Sequence, residues 1–222
     1  MTDQMGMKEF HDAEGSEDWR IVSDGACAYF RAPSFSEGAR LVQAISALPG
    51  IDEHNPDVDL RGDGVTVRLV TLTDHYMGMT ARDLELARQI SSAARVLGFA
   101  AEPSAVQSVL VIPGAGATAE VMPFWRAVLG YEPRRDSPAE DLVDPHSRGP
   151  AFWFEQMDEM RPDGGGAIHI GVWVPYDQVE ARLAAVLAAG GRMVRDQFAP
   201  AWWTLADAAG NEACIGTTLA RE

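Results

Sequence analysis

Two stretches in the second half of the chain carry the same order of apolar and polar positions. The first runs Gln107-Ser-Val-Leu-Val-Ile-Pro, then the amphipathic Val121-Met-Pro-Phe-Trp-Arg-Ala-Val-Leu-Gly130, then Tyr131-Glu-Pro. The second runs His169-Ile-Gly-Val-Trp-Val-Pro, then Val179-Glu-Ala-Arg-Leu-Ala-Ala-Val-Leu-Ala-Ala-Gly190, then a new apolar run from Met193. Each predicts a strand, a helix stopped by glycine, and further strands. The half is therefore read as two copies of one unit with the site between them.

The first half has a different texture. Residues 1 to 17 are polar, acidic and without periodicity, and are read as a flexible acidic tail. Ala26 to Ala32 has strand character, and Ser34 to Leu48 places Ala39, Leu41, Val42, Ile45 and Leu48 at helical spacing before Pro49-Gly50. Val65 to Thr73 begins with alternating Val65, Val67 and Leu69 against Thr66 and Arg68, a strand with one wet face. Thr80 and Asp83 form a capping-box start for a helix with the apolar face Leu84, Ala87, Ile90, Ala94 and Leu97, ended by Gly98. Ala100 to Ala105, with Pro103 inside it, is the linker, which gives a first domain over 18–100 and a second over 104–222.

Composition narrows the function classes. The chain of 222 residues carries 18 basic against 33 acidic residues, a formal charge of -15. Nucleic-acid affinity comes largely from Lys and Arg neutralising phosphates, so a nucleic-acid partner is set aside. Cys27 and Cys214 lie in different halves and form no metal-type pair. The start lacks a basic and then apolar leader, and no apolar run approaches the roughly 20 residues that span a bilayer. The expectation is a soluble, cytoplasmic protein with a small-molecule substrate and no membrane partner.

Chemistry in the first domain gathers at Glu53-His54-Asn55-Pro56-Asp57 and at Asp74-His75. Imidazoles on two loops that bracket a strand could converge, and groups that titrate near neutrality suit proton transfer to a leaving hydroxyl and from a ring nitrogen. The competing reading is two surface histidines without a task. Residues 19–98 resemble the pterin-4a-carbinolamine dehydratase family through Asp18-Trp19-Arg20-Ile21, Phe30, Ser34-Phe35, His54-Asn55-Pro56-Asp57, Val65-Thr66-Val67, Thr73, Gly78-Met79-Thr80 and Asp83. The resemblance implies an α+β sheet with helices on one face, self-association, and removal of water from 4a-hydroxytetrahydropterins without a metal or redox cofactor. His54 matches the first histidine of the family's His-His-Pro signature, and Asn55 is an accepted variant at the second. The third histidine's position falls on Asp74, with His75 one residue off register.

In the second domain Gln107 opens one repeat's strand and His169 opens the other's, and a pseudo-twofold relation would bring them near one another. Phe152-Trp-Phe-Glu155 places a carboxylate just before the loop Asp163-Gly164-Gly165-Gly166. Glu212-Ala-Cys214 follows the turn Asp207-Ala-Ala-Gly210, and alternation puts Glu212 and Cys214 on one face. Such donors suit a divalent metal with open positions, although each alone also reads as a solvated or core residue.

This half resembles the vicinal oxygen chelate superfamily, which includes glyoxalase I, extradiol dioxygenases and bleomycin-type resistance proteins. The resemblance lies in Gln107-Ser-Val-Leu-Val-Ile, Phe124-Trp-Arg-Ala-Val-Leu-Gly-Tyr131, Ile168-His169-Ile-Gly-Val and Leu205-Ala-Asp207-Ala-Ala-Gly210-Asn211-Glu212. It implies paired βαβββ modules curled round a metal or ligand cavity. Gln107, Glu155 and His169 match three glyoxalase ligand positions; the fourth falls on Cys214, with Glu212 two residues earlier. The metal implied is Zn, Fe, Ni or Mn, and metal-free members are common.

Trp153, Trp173, Trp202 and Trp203 favour a flat conjugated ligand such as a pterin, with Trp202 and Trp203 facing opposite ways. The expected architecture is α+β: a dehydratase-like α/β sandwich, then a paired βαβββ domain, in a homodimer or larger assembly. The expected function is a hydro-lyase of the 4a-hydroxytetrahydrobiopterin dehydratase type. The alternatives are a metal-dependent glyoxalase, isomerase or dioxygenase, and a non-catalytic binding or resistance protein.

Overall fold

Alternating apolar residues set the first sheet in the computed structural model, which describes residues 4–23, 25–157, 168–206 and 212–219. The expected loops at Asp163–Gly166 and Asp207–Gly210 lie outside the described residues. Contacts divide the chain into two units. One takes the chain to Leu72 and again over Tyr76–Val106; the other takes Thr73–His75 and most of the chain from Gln107. No helix among the described residues is long and apolar enough to cross a membrane.

In the first unit, strands Arg20–Val22, Gly25–Arg31, Gly64–Leu69 and Asp57–Leu60 pair antiparallel in that order, and Ala100–Ala101 adds to Gly25–Arg31. Register sets Ala26 opposite Leu69, Ala28 opposite Val67 and Phe30 opposite Val65, so six apolar side chains share one face. Helices Phe35–Ser46 and Ala81–Val96 cover that face and supply Leu41, Ile45, Leu84, Ala87, Ile90 and Ala94 to the core. Cys27, Tyr29, Thr66 and Arg68 fall on the other face. Trp19 is fully buried and its indole Nε1 donates to Ser91 Oγ at 3.0 Å, which ties the first strand to the second helix.

Three expectations change. The strand expected over Val65 to Thr73 breaks at Val70: Gly64–Leu69 stays in the main sheet, and Thr71–Leu72 joins a separate sheet. The expected Gly78-Met79-Thr80 turn is the strand Met77–Thr80, paired with Thr71–Leu72 on one side and Gln4–Met5 on the other. The segment read as a linker is ordered, with a strand at Ala100–Ala101 and a 3-10 turn at Pro103–Ala105.

The second unit is a nine-stranded sheet of two βαβββ modules. Module one runs strand Ser108–Ala115, helix Thr118–Leu129, then strands Glu132–Pro133, Asp141–Val143, Ala151–Trp153 and the short Glu155–Gln156. Module two runs strand Ile168–Trp173, helix Val179–Ala188, then strands Arg192–Arg195, Trp202–Ala206 and Glu212–Gly216. In each module the first strand pairs parallel with the last, and the two first strands pair antiparallel at the centre. Val111 packs with Val121, Met122 and Trp125, while Val172 packs with Val179, Leu183 and Val186. Ile170 pairs with Val111 and Val172 with Val109, so both helices lie on one face of the sheet.

The N-terminal segment corrects the tail expectation. Gln4–Met5 is an edge strand, Met7–Asp12 is a helix, and Phe10 is 0% exposed within the main core, with Met5 and Met7 packed against it. A two-residue strand and a six-residue helix are too short to show periodicity, and the acidic residues around Phe10 hide it. The replacement Phe10→Ala is expected to lower unfolding free energy by about 3–5 kcal/mol in denaturant titration. An unchanged midpoint would mean that the segment is a loose tail.

Candidate functional site

His54 follows the 3-10 turn Ile51–Glu53, which begins after Gly50 in a left-handed conformation (φ 75°) that favours glycine. Pro56 restrains the chain on the other side, so the loop presents the imidazole from a constrained backbone. The helix Ala81–Val96 grips this loop twice. Arg82 donates to Glu53 at 3.3 Å, and His54 Nε2 lies 2.7 Å from Asp83 Oδ1.

Asp83 is fully buried, and burying a carboxylate is unfavourable unless donors surround it. Its Oδ2 accepts from Thr80 N–H at 2.8 Å, Thr80 Oγ1 at 2.6 Å and Thr71 Oγ1 at 2.7 Å. The capping box that the sequence marks is formed, and the same carboxylate reaches out of it to the histidine. His54 is half-buried, with a side chain 16% exposed, and its ring makes no other hydrogen bond among the described residues. The arrangement is a carboxylate–imidazole dyad with one ring nitrogen held and the other open.

Asp83 and Thr71 were not among the residues singled out for chemistry. Asp83 was visible as a helix cap, and its second role required knowing that the His54 loop packs on that helix end. Thr71 was hidden because the strand was read as continuous through it.

The other first-domain candidates are placed differently. Asn55 is exposed beside His54. Asp74 and His75 are both exposed, and Thr73–His75 group by contacts with the second unit, where Asp74 pairs with Arg135 at 2.9 Å. The partner that the structure gives His54 is Asp83, rather than Asp74 or His75.

In the second unit, the face opposite the helices carries the polar candidates. Ile112 pairs with His169, Cys214 with Gly171 and with Thr204, and Glu155 with Gly114. Alternation therefore sets Glu155, His169, Glu212 and Cys214 on one face, with Trp173 and Trp202. Trp203 is on the helix side, as alternation required, while Trp202 stacks on Phe198 with ring centroids 4.5 Å apart. Burial pushes the His169 pKa below its ordinary value, against the raising effects of Glu155 and Glu212. Neither the His169 ring nor the Glu155 carboxylate makes a hydrogen bond among the described residues. Burial raises the Cys214 thiol pKa, opposed by a 3.4 Å contact with Thr204 Oγ1. The Cys27 thiol in the first unit is pushed up to about 11 by burial, so it is no nucleophile.

Gln107 departs from this group, correcting the expectation that it neighbours His169. The two first strands run antiparallel with Ser108 opposite Trp173 and Ile112 opposite His169, so their starts lie at opposite ends. Gln107 Oε1 instead accepts from Arg182.

As they stand, the remaining donors gather into no group for a divalent metal among the described residues. Glu155 pairs with Gly114 and His169 with Ile112 on opposite sides of Ser108–Ala115, so two strand spacings, roughly 10 Å, and two positions of register separate them. Glu212 Oε2 is engaged by Arg195 at 3.2 Å. Among the described residues no three His, Cys, Asp or Glu groups are placed to hold a metal ion.

Comparison with known proteins matches both halves. The family profile described as pterin 4 alpha carbinolamine dehydratase matches residues 3–93, and that of a glyoxalase-like domain matches residues 109–216. A Mycobacterium leprae protein provisionally named pterin-4-alpha-carbinolamine dehydratase is 34% identical over 74 residues, covering 33% of this chain and 76% of that protein. A Nocardia farcinica protein with the same provisional name is 37% identical over 79 residues, covering 35% and 80%. Among solved structures, a glyoxalase/bleomycin resistance protein/dioxygenase superfamily member from Vibrio splendidus 12B01 aligns over 50% of this chain and 99% of its own. Its TM-score is 0.33 and its sequence identity 13%.

Proposed function

Because the chain belongs through its first domain to the pterin-4-alpha-carbinolamine dehydratase family, we propose that it is a hydro-lyase removing water from a 4a-hydroxytetrahydropterin such as 4a-hydroxytetrahydrobiopterin. In this reaction the C4a–O bond breaks, the hydroxyl leaves as water after gaining a proton, and a ring N–H gives up a proton as the C=N bond forms. One proton is removed and one delivered, with no change of oxidation state. A single imidazole can take the first and return it as the second.

The observation that carries the reading is the 2.7 Å contact between His54 and the buried Asp83. It orients an imidazole whose other nitrogen is open, as a general base requires. Asn55, next along the loop, supplies an amide for substrate hydrogen bonding. Asp74 stands where the family's third histidine falls and is held by Arg135, so the reading rests the proton transfer on His54. Dehydration by purified protein is expected to fall by about 100-fold or more in His54→Ala, with the thermal midpoint little changed. Turnover undiminished by the substitution would contradict the assignment.

A second reading concerns the glyoxalase-like domain. His169 and Glu155, half-buried and without side-chain hydrogen bonds among the described residues, on a face that also carries Trp173 and Trp202, favour a small-molecule site for a flat, hydrogen-bonding heterocycle without metal participation. Titration with an oxidised pterin is expected to quench tryptophan fluorescence saturably, with affinity weakened about tenfold in His169→Ala and retained in His54→Ala. Quenching indifferent to His169 would count against this site.

A further inference from the structure

We infer that Thr71 is a positioning residue for His54. Its hydroxyl, together with that of Thr80, holds the Asp83 carboxylate so that the imidazole keeps its proton on Nε2 and presents Nδ1 as its basic nitrogen. The catalytic meaning of this inference rests on the dehydratase reading above; the tautomer itself does not.

The argument is a count of donors and acceptors. A carboxylate accepts only, and Asp83 Oδ2 already receives Thr80 N–H, Thr80 Oγ1 and Thr71 Oγ1. Oδ1 is the atom that faces His54, at 2.7 Å from Nε2, so Nε2 is the donor in that bond. A neutral imidazole that donates from Nε2 has its lone pair on Nδ1, and no other hydrogen bond of His54 occupies that nitrogen among the described residues.

The two threonines are not equivalent. Thr80 is the helix cap, and its Oγ1 also accepts from Asp83 N–H at 3.4 Å, so it belongs to the helix start. Thr71 comes from a different strand, 12 residues before Asp83, and has no part in the cap. Its donation pins the outer end of the carboxylate and so fixes the plane from which Oδ1 reaches the histidine. Without it Oδ2 keeps only its two donors from Thr80, both from a single residue. The carboxylate can then rotate about its terminal torsion, which is broad in aspartate. The break of the strand at Val70 is what places Thr71 here: Thr71–Leu72 pairs with Met77–Thr80, and Thr71 Oγ1 lies 3.2 Å from Thr80 Oγ1.

The test uses the full-length protein, labelled with nitrogen-15, with the His54 ring signals assigned by their loss in His54→Gln. At a pH where the nitrogen-15 shifts show a neutral ring, the wild type is expected to show a protonated Nε2 and an unprotonated Nδ1. Thr71→Val, which removes only the hydroxyl at similar shape, is expected to give a mixture of tautomers. It should also lower kcat for dehydration by roughly 10-fold with little change in KM, and Thr71→Ser should restore both. A wild-type ring protonated on Nδ1 would overturn the inference whether or not the valine variant folds. So would a folded Thr71→Val protein with the wild-type tautomer. Wild-type protein that shows the Thr71-dependent tautomer but no dehydration would leave the positioning role standing and remove the dehydratase reading. Dehydration with a tautomer indifferent to Thr71 would do the reverse.

Discussion

A carboxylate with no access to water organises the first domain's site. An isolated buried charge is destabilising by several kcal/mol unless hydrogen bonds replace its hydration. Asp83 receives those bonds from a helix start, from a separate strand and from a loop: Thr80, Thr71 and His54. Three pieces of chain distant in sequence therefore meet at one atom pair. The requirement to satisfy Asp83 places the catalytic candidate, and the placement of the candidate explains why the carboxylate is tolerated in the core. Packing supplies the surrounding frame. Trp19, Phe30 and Phe10 are buried in the core that joins sheet and helices, and Arg82 and Asp83 hold the start of the helix Ala81–Val96 to the loop that follows Gly50.

The second domain is governed by a different constraint, the antiparallel pairing of two equivalent first strands. That pairing makes a continuous nine-stranded sheet from two modules and leaves one face to the helices. It also decides which polar residues can meet. His169 and Glu212 come together because their strands run parallel in matching register, and Gln107 is excluded because its strand runs the other way. The face that results combines a half-buried imidazole, acidic groups and indole rings, the chemistry on which the proposed heterocycle site rests.

Much of this was legible in the chain. The strand–helix–glycine repeat announced the paired modules, and the Thr80 to Asp83 spacing announced a helix start that the structure forms. Alternation put Trp202 and Trp203 on opposite faces, where they are found. What periodicity could not give was anything set by register between distant segments. The break at Val70 turns on which sheet Thr71 joins, and a two-residue strand carries no period of its own. Phe10 is a single apolar residue in an acidic run, and only its burial shows that the segment belongs to the core. Asp83 could be read as a cap from four residues of local sequence, but its bond to His54 spans 29 residues. The error over Gln107 had the same origin: the repeat showed that the two strands are equivalent and said nothing about their relative direction.

The central claim is that Asp83 acts on the reaction through His54. A double-mutant cycle on the dehydration rate, comparing wild type, His54→Ala, Asp83→Asn and the double variant, tests it most directly. The account predicts strong non-additivity: Asp83→Asn slows the wild type, and the double variant is no slower than His54→Ala alone. Losses that multiply independently would show that the two residues do not act as a unit and would contradict the account.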